Sequence, residues 1–88
     1  MYTSFINGLG HYVPENRVTN DDLSQWMETS DEWIRERTGI EERRFAVKGE
    51  DTTTSMGVKA AKVAIERSTV SKNDIDFIIF ATLSPDYY

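Results

Sequence analysis

From Ile75 to Thr82 the chain carries an almost continuous apolar tract, Ile75, Phe77, Ile78, Ile79, Phe80 and Ala81, interrupted only by Asp76. Apolar and polar residues do not alternate along it. A strand with this pattern is buried on both faces, as is an inner strand of a parallel or mixed sheet covered by helices, and unlike the half-exposed strand of a hairpin. Before it, a helix is expected from Thr52 or Thr53 to about Arg67, capped by Asp51 or an early threonine. Met56, Ala60, Val63, Ala64 and Arg67 form one stripe of that helix, while Val58, Ala61 and Ile65 lie off it, so apolar residues reach around much of its circumference. Such a helix is sandwiched between layers. Gly57 costs a helix interior about 1 kcal/mol relative to alanine, which points to close packing there. Val70 to Asp74 connects helix to strand, and the pair fits an α/β architecture.

With 88 residues, the chain is one small domain at most and buries roughly 60 to 65% of its unfolded surface, so a larger parent is plausible. The net charge of −5 argues against a nucleic-acid partner, which calls for a basic stripe. No run approaches the ~18 apolar residues that span a bilayer, and no charged segment followed by an apolar targeting core opens the chain. Without cysteine there are no disulfides or thiolate metal sites, and the single His11 cannot build a His-based metal cluster.

The N-terminal region reads as a first strand, Tyr2 to Ile6, followed by Gly8 and Gly10, which permit close backbone approach or a bend, and ended by Pro14. His11 reads as a packed or hydrogen-bonded strand-end residue. A loop from Glu15 to Val18 feeds a short helix capped by Thr19 with Asp22, or by Asn20, and running to about Met27. Leu23, Trp26 and Met27 follow the spacing of a buried stripe.

Next comes Glu28 to Ile40. Thr29 with Glu32 forms a capping-box pattern, Asp31 and Glu32 suit the positive end of a helix dipole, and Gly39 supplies a left-handed residue past the last turn. Thr29, Trp33 and Arg37, four residues apart, fall along one side. A hydroxyl, an indole and a guanidinium together suit a planar heteroaromatic ring attached to phosphate: the indole stacks, the hydroxyl bonds the ring edge, and the guanidinium pairs with phosphate oxygens. Taken singly, the same residues read as a core tryptophan, a helix cap and a solvated arginine. Ile40 to Phe45 is a short extended segment. Arg35, Arg37, Arg43 and Arg44 read mainly as a solvated face interleaved with Glu36, Glu41 and Glu42, and Lys48 to Asp51 as a polar turn.

These residues carry a resemblance. Gly8 to Glu15, Val18 to Leu23, Thr29 to Ile34, Arg37 to Ile40, Glu42 to Arg44, Ser55 to Gly57 and Ile75 to Thr82 resemble, in order and over almost the whole chain, the N-terminal end of the 3-oxoacyl-acyl-carrier-protein synthase III family of thiolase-fold condensing enzymes. The resemblance implies that residues 1–88 are an N-terminal fragment of a thiolase-like layered α/β fold, a mixed sheet covered by helices, and incomplete alone. It implies a cytoplasmic, homodimeric acyltransferase that condenses an acyl-CoA primer such as acetyl-CoA with malonyl-acyl-carrier protein to start fatty-acid synthesis. Acyl-CoA is then a substrate, and no separate cofactor or metal is implied.

By resemblance, Trp33 stacks on the CoA adenine, Thr29 hydrogen-bonds that ring, Arg37 meets the pyrophosphate or ribose-phosphate region, and Thr38 borders the same site. No catalytic residue falls in this chain: the family's cysteine, histidine and asparagine lie downstream, His11 does not match the histidine, and Tyr88 stops short of an aromatic that lines the partner subunit's acyl pocket. Around Val47 to Asp51 the chain is about one residue longer than the family pattern, and the basic patch that docks the carrier protein lies outside it. The alternatives are a related thiolase-fold condensing enzyme, for polyketide starters or long-chain acyl-CoA, and a non-catalytic CoA- or nucleotide-binding fragment. The isolated chain is expected to perform no condensation, and to be unstable or to associate through its apolar strand.

Overall fold

The structure is a computed structural model that describes residues 3–87. Its elements run β1 (Asn16–Thr19), α1 (Asn20–Ser24), α2 (Asp31–Thr38), β2 (Glu42–Phe45) and α3 (Thr53–Arg67), followed by a 3-10 turn at Lys72–Asp74. They fall into two compact units. Val13–Glu50 forms one, and the segment through Tyr12 together with the chain from Asp51 onward forms the other.

In the Val13–Glu50 unit, β1 and β2 make an antiparallel ribbon with Val18 opposite Arg43 and Thr19 opposite Glu42. The loop expected at Glu15 to Val18 is therefore mostly strand. Its four-residue run is too short to show the alternation by which strands are recognised. The ribbon continues one step further through Asn20 N–H, which donates to the Glu41 carbonyl at 3.2 Å. Thr19 then caps α1: its hydroxyl accepts from Asp22 N–H at 3.2 Å, and the Asp22 carboxylate accepts from Thr19 N–H at 2.9 Å. This is the expected capping box. The helix ends at Ser24, earlier than the expected Met27, because the chain tightens into turns in which both Trp26 and Met27 N–H donate to the Leu23 carbonyl.

Among the described residues, Pro14, Val18, Asn20 and Ile34 are the buried ones, and all four belong to this unit. The expected burial of Trp26 and Met27 is not found: Trp26 is 62% exposed and lies against Phe45 with ring centroids 6.2 Å apart. With α1 only five residues long, their turn carries them off any helical stripe.

In the other unit, Thr52 caps α3 by accepting from Ser55 N–H at 3.0 Å, while Ser55 Oγ accepts from Thr52 N–H at 2.9 Å. Asp86 adds a carboxylate at the same end, accepting from Thr54 N–H at 2.8 Å and Thr53 N–H at 3.2 Å. The arm that precedes Val13 lies along α3. A Cβ at Gly8 would collide with the Ala64 carbonyl, and one at Gly10 with the Ala60 carbonyl and the Ala64 amide, so backbone meets backbone there. At Gly57, Phe80 takes the space of a side chain: a Cβ would stand 2.6 Å from its ring. The close packing expected at Gly57 is thus realised by the apolar tract. Tyr12 donates to Asp51 at 2.9 Å, and the Lys59 ammonium sits 4.5 Å from the Tyr12 ring centroid.

Four further expectations are corrected here. Residues 75–82 form no regular element and belong to no ladder, and Phe77, Ile78 and Ile79 are 77 to 84% exposed instead of buried on both faces. The arm through Ile6, expected as a strand, is likewise unladdered, with Phe5 and Ile6 exposed; Tyr2, its expected first residue, lies outside the described residues, as does Tyr88. An inner strand needs hydrogen-bonding neighbours on both edges and layers on both faces. Among the described residues these tracts lie against α3 and have no hydrogen-bonded strand on either edge. For the same reason α3, expected between layers, has no buried residue. His11, expected to be packed or bonded, is exposed.

Candidate functional site

The candidate residues sit on α2 and at the turn that leads into it. Ser30, and not Thr29, is its N-cap: Ser30 Oγ accepts from Trp33 N–H at 3.1 Å, and Asp31 is the first helical residue. Adjacent hydroxyls at Thr29 and Ser30 offer two possible caps, and the chain uses the one that places its oxygen on the third helical amide. The expected pairing of Thr29 with Glu32 is therefore displaced by one residue, which leaves Thr29 outside the cap. At the far end Gly39 adopts φ 74° and its N–H donates to the Arg35 carbonyl at 2.8 Å, as the left-handed cap requires.

Both ends of α2 are fixed by a single buried residue. Asn20 is 1% exposed, and its amide nitrogen donates to the Asp31 carboxylate and to the Ile40 carbonyl, each at 2.8 Å. Its oxygen accepts from Arg43 at 2.7 Å, and Arg43 also donates to the Val18 carbonyl at 3.2 Å. The hydrogen bond from Asn20, followed by that from Arg35, holds the Asp31 carboxyl below the usual carboxylate range. Arg35 in turn lies 2.9 Å from Asp31 and 3.3 Å from Glu41. Of the arginines read as a solvated face, Arg43 and Arg44 are thus structural: Arg44 donates to the Pro14 carbonyl at 2.8 Å.

From this fixed helix Trp33 projects half-exposed, and the Arg37 guanidinium carbon stands 5.1 Å from its ring centroid. Beside the indole is an open hollow of about 220 Å³ lined by Glu28, Thr29, Ser30 and Trp33. The helix therefore brings Thr29 and Trp33 to one concavity and sets Arg37 on the indole. Thr38 is not brought to it. Its hydroxyl donates to the Ile34 carbonyl at 2.7 Å and accepts from Ile40 N–H at 3.0 Å, closing the end of the helix. Glu28 and Ser30 were not singled out from sequence, nor was Asn20 as a brace. The only signal for Asn20 is its position at the start of a helix. Among the described residues no group of histidine, cysteine or carboxylate side chains could hold a metal ion, and no helix is long and apolar enough to cross a membrane.

No protein-family model matches the chain. It is 53% identical over 87 residues to the β-ketoacyl-[acyl-carrier-protein] synthase III of Sulfurimonas denitrificans, a match that takes in 99% of this chain and 26% of that protein. The solved 3-oxoacyl-[acyl-carrier-protein] synthase III from Aquifex aeolicus superimposes with a TM-score of 0.70 at 48% identity, over 75% of this chain and 21% of that one. The chain is an N-terminal segment of the β-ketoacyl-[acyl-carrier-protein] synthase III family. The priming β-ketosynthase from the R1128 polyketide pathway is also similar to the synthase III segment, with a TM-score of 0.73 at 38% identity over 78% of this chain and 20% of that structure. The segment spans about a quarter of the length of the curated synthase III relatives it matches, and its fold class is that of the thiolase-like α/β enzymes.

Proposed function

We propose that this chain forms part of the acyl-CoA entrance of a β-ketoacyl-acyl-carrier-protein synthase III, which condenses an acyl-CoA primer such as acetyl-CoA with malonyl-acyl-carrier protein to begin fatty-acid synthesis. The observation that carries the reading is the half-exposed Trp33 beside a hollow that Thr29 also lines. In this reading the CoA adenine stacks on Trp33, the Thr29 hydroxyl, free of capping duty, bonds the ring edge, and Arg37 faces the phosphates of the same ligand. Thr38 contributes only indirectly in this reading, by closing the end of the helix that carries Trp33 and Arg37.

Condensation by this class needs a thiolate nucleophile and donors aimed at a developing oxyanion. The 88 residues contain no cysteine, so the nucleophile, with its histidine and asparagine, belongs to other parts of the complete enzyme. Residues 1–88 are then one incomplete piece of a thiolase-like domain. The complete enzyme is a cytoplasmic homodimer, takes acyl-CoA as substrate and uses no separate cofactor.

The test is CoA binding to the complete enzyme, followed by Trp33 fluorescence in a Trp26→Phe background. Trp33→Ala is expected to weaken binding by about 1 to 3 kcal/mol, the range for aromatic side chains that stack on bases. Unchanged affinity would remove the stacking role. The 38% identity to a priming polyketide ketosynthase supports a second reading, a condensing enzyme that shares this entrance but delivers the acyl group to a polyketide carrier protein. Turnover with a fatty-acid carrier protein against a polyketide carrier protein separates the two.

A further inference from the structure

The Arg37 guanidinium rests against an aromatic ring. Among the described residues it forms no ion pair, although its helix neighbour Arg35 has two carboxylate partners and Glu32 and Glu36 stand nearby in sequence. Its contact is with the Trp33 ring, at 5.1 Å from the centroid. The hollow beside that ring is lined by Glu28, Thr29, Ser30 and Trp33, and Arg37 is not among its lining residues.

We infer that Arg37 is a positioning residue for base recognition: from outside the lining of the hollow it holds the indole through its cation–π contact, so that a purine entering the hollow stacks on a ring already set in place. The inference rests on the reading of Trp33 as a base platform. A cation on the face of an indole is attracted by the ring quadrupole and resists rotation of the side chain. The ring is thereby set for stacking before a ligand arrives, which lowers the ordering cost of binding. This role is distinct from contact with phosphate. A phosphate contact concerns only phosphorylated ligands, whereas the stack acts on the base and so extends to an unphosphorylated nucleoside.

The experiment uses the full chain in a Trp26→Phe background, with adenosine and adenosine 3′,5′-bisphosphate as probes. Arg37→Met is expected to raise the Kd for adenosine about two- to fivefold, the size of an exposed cation–π contact, and Arg37→Lys, which keeps a cation over the ring, to recover most of it. Arg37 is exposed and bonds no buried group, so both variants should retain the wild-type far-ultraviolet circular dichroism. If Arg37→Met weakens the bisphosphate but leaves adenosine unchanged, Arg37 serves phosphate alone and the inference is overturned. Tighter adenosine binding overturns it as well, because the guanidinium would then cover the stacking face. Trp33→Ala is the separate control: adenosine affinity unaffected by that substitution would instead remove the base platform itself.

Discussion

Arg43 donates to the side-chain oxygen of Asn20 at 2.7 Å, in a position where a charged β-ribbon residue and a buried amide define the placement of a helix that neither belongs to. Through its nitrogen the same amide reaches Asp31 at one end of α2 and Ile40 just beyond the other. Asn20→Ala should therefore cost about 1 to 3 kcal/mol in urea unfolding, since it leaves the Arg43 guanidinium and the Ile40 carbonyl short of a partner. Asn20→Asp keeps the size and the acceptor for Arg43 but sets a carboxylate against Asp31, and should also destabilise. Wild-type midpoints in both variants would deny Asn20 the role of brace.

The one-residue shift of the cap separates two neighbouring hydroxyls. Ser30→Ala is expected to cost about 1 kcal/mol of stability, the usual loss for an N-cap side chain. Thr29→Ala should stay within about 0.5 kcal/mol of wild type, as surface substitutions do, while weakening CoA binding. Thermal unfolding of the two variants, read beside CoA titration, checks this; equal destabilisation would return Thr29 to the cap.

Two glycines should respond differently to alanine. At Gly10 the new Cβ meets α3 backbone at Ala60 and Ala64, which can yield only if the arm lifts away, so Gly10→Ala should destabilise by about 1 to 3 kcal/mol. At Gly57 the obstacle is the outer edge of the exposed Phe80 ring, which can swing aside, and alanine gains about 1 kcal/mol of helix propensity. Gly57→Ala should come out near neutral. Hydrogen exchange over residues 3–12 and 53–67 reads both, and protection of the arm unchanged in Gly10→Ala would contradict the close approach.

Acid should loosen α1 and α2. The Thr19 N–H lowers the Asp22 pKa, and the Asn20 amide followed by Arg35 lowers that of Asp31, so both carboxyls are more acidic folded than unfolded. Their contribution is present in full above the unfolded carboxylate range, near pH 4, and is lost as pH falls through the lower folded values. Stability followed from pH 7 down to pH 2 should hold level to about pH 5 and then decline. Asp31→Asn should give a shallower decline, and an identical acid limb would show that Asp31 does not contribute.

How much of this could be read from the chain follows from the range of each signal. The Thr19 and Asp22 box, the Gly39 cap and the span of α3 depend on neighbours within four residues, and they are where the sequence puts them. Ser30 displaced Thr29 because two adjacent hydroxyls satisfy nearly the same local rule. β1 was missed since Asn16–Thr19 has no apolar alternation, and its pairing is fixed across the ribbon instead. Arg43 looked like one more solvated charge, because only the fold supplies the buried amide beside it. Burial of Ile75 to Thr82 depends on layers distant in sequence, and the described residues do not contain them. Of the site, the spacing of Thr29, Trp33 and Arg37 was legible, whereas the contribution of Glu28 and Ser30 to the hollow needed the turn into α2.

The uncovered tract at Phe77 to Phe80 also governs how the segment behaves in solution. Its aromatic and branched side chains invite contact between molecules, while the net charge of −5 keeps copies apart. Colloidal stability is then a contest between a short-range apolar attraction, which salt leaves intact, and a repulsion whose reach shrinks from about 10 Å at 0.1 M salt to about 3 Å at 1 M. Raising the ionic strength should therefore lower the concentration at which the 88-residue segment stays dispersed.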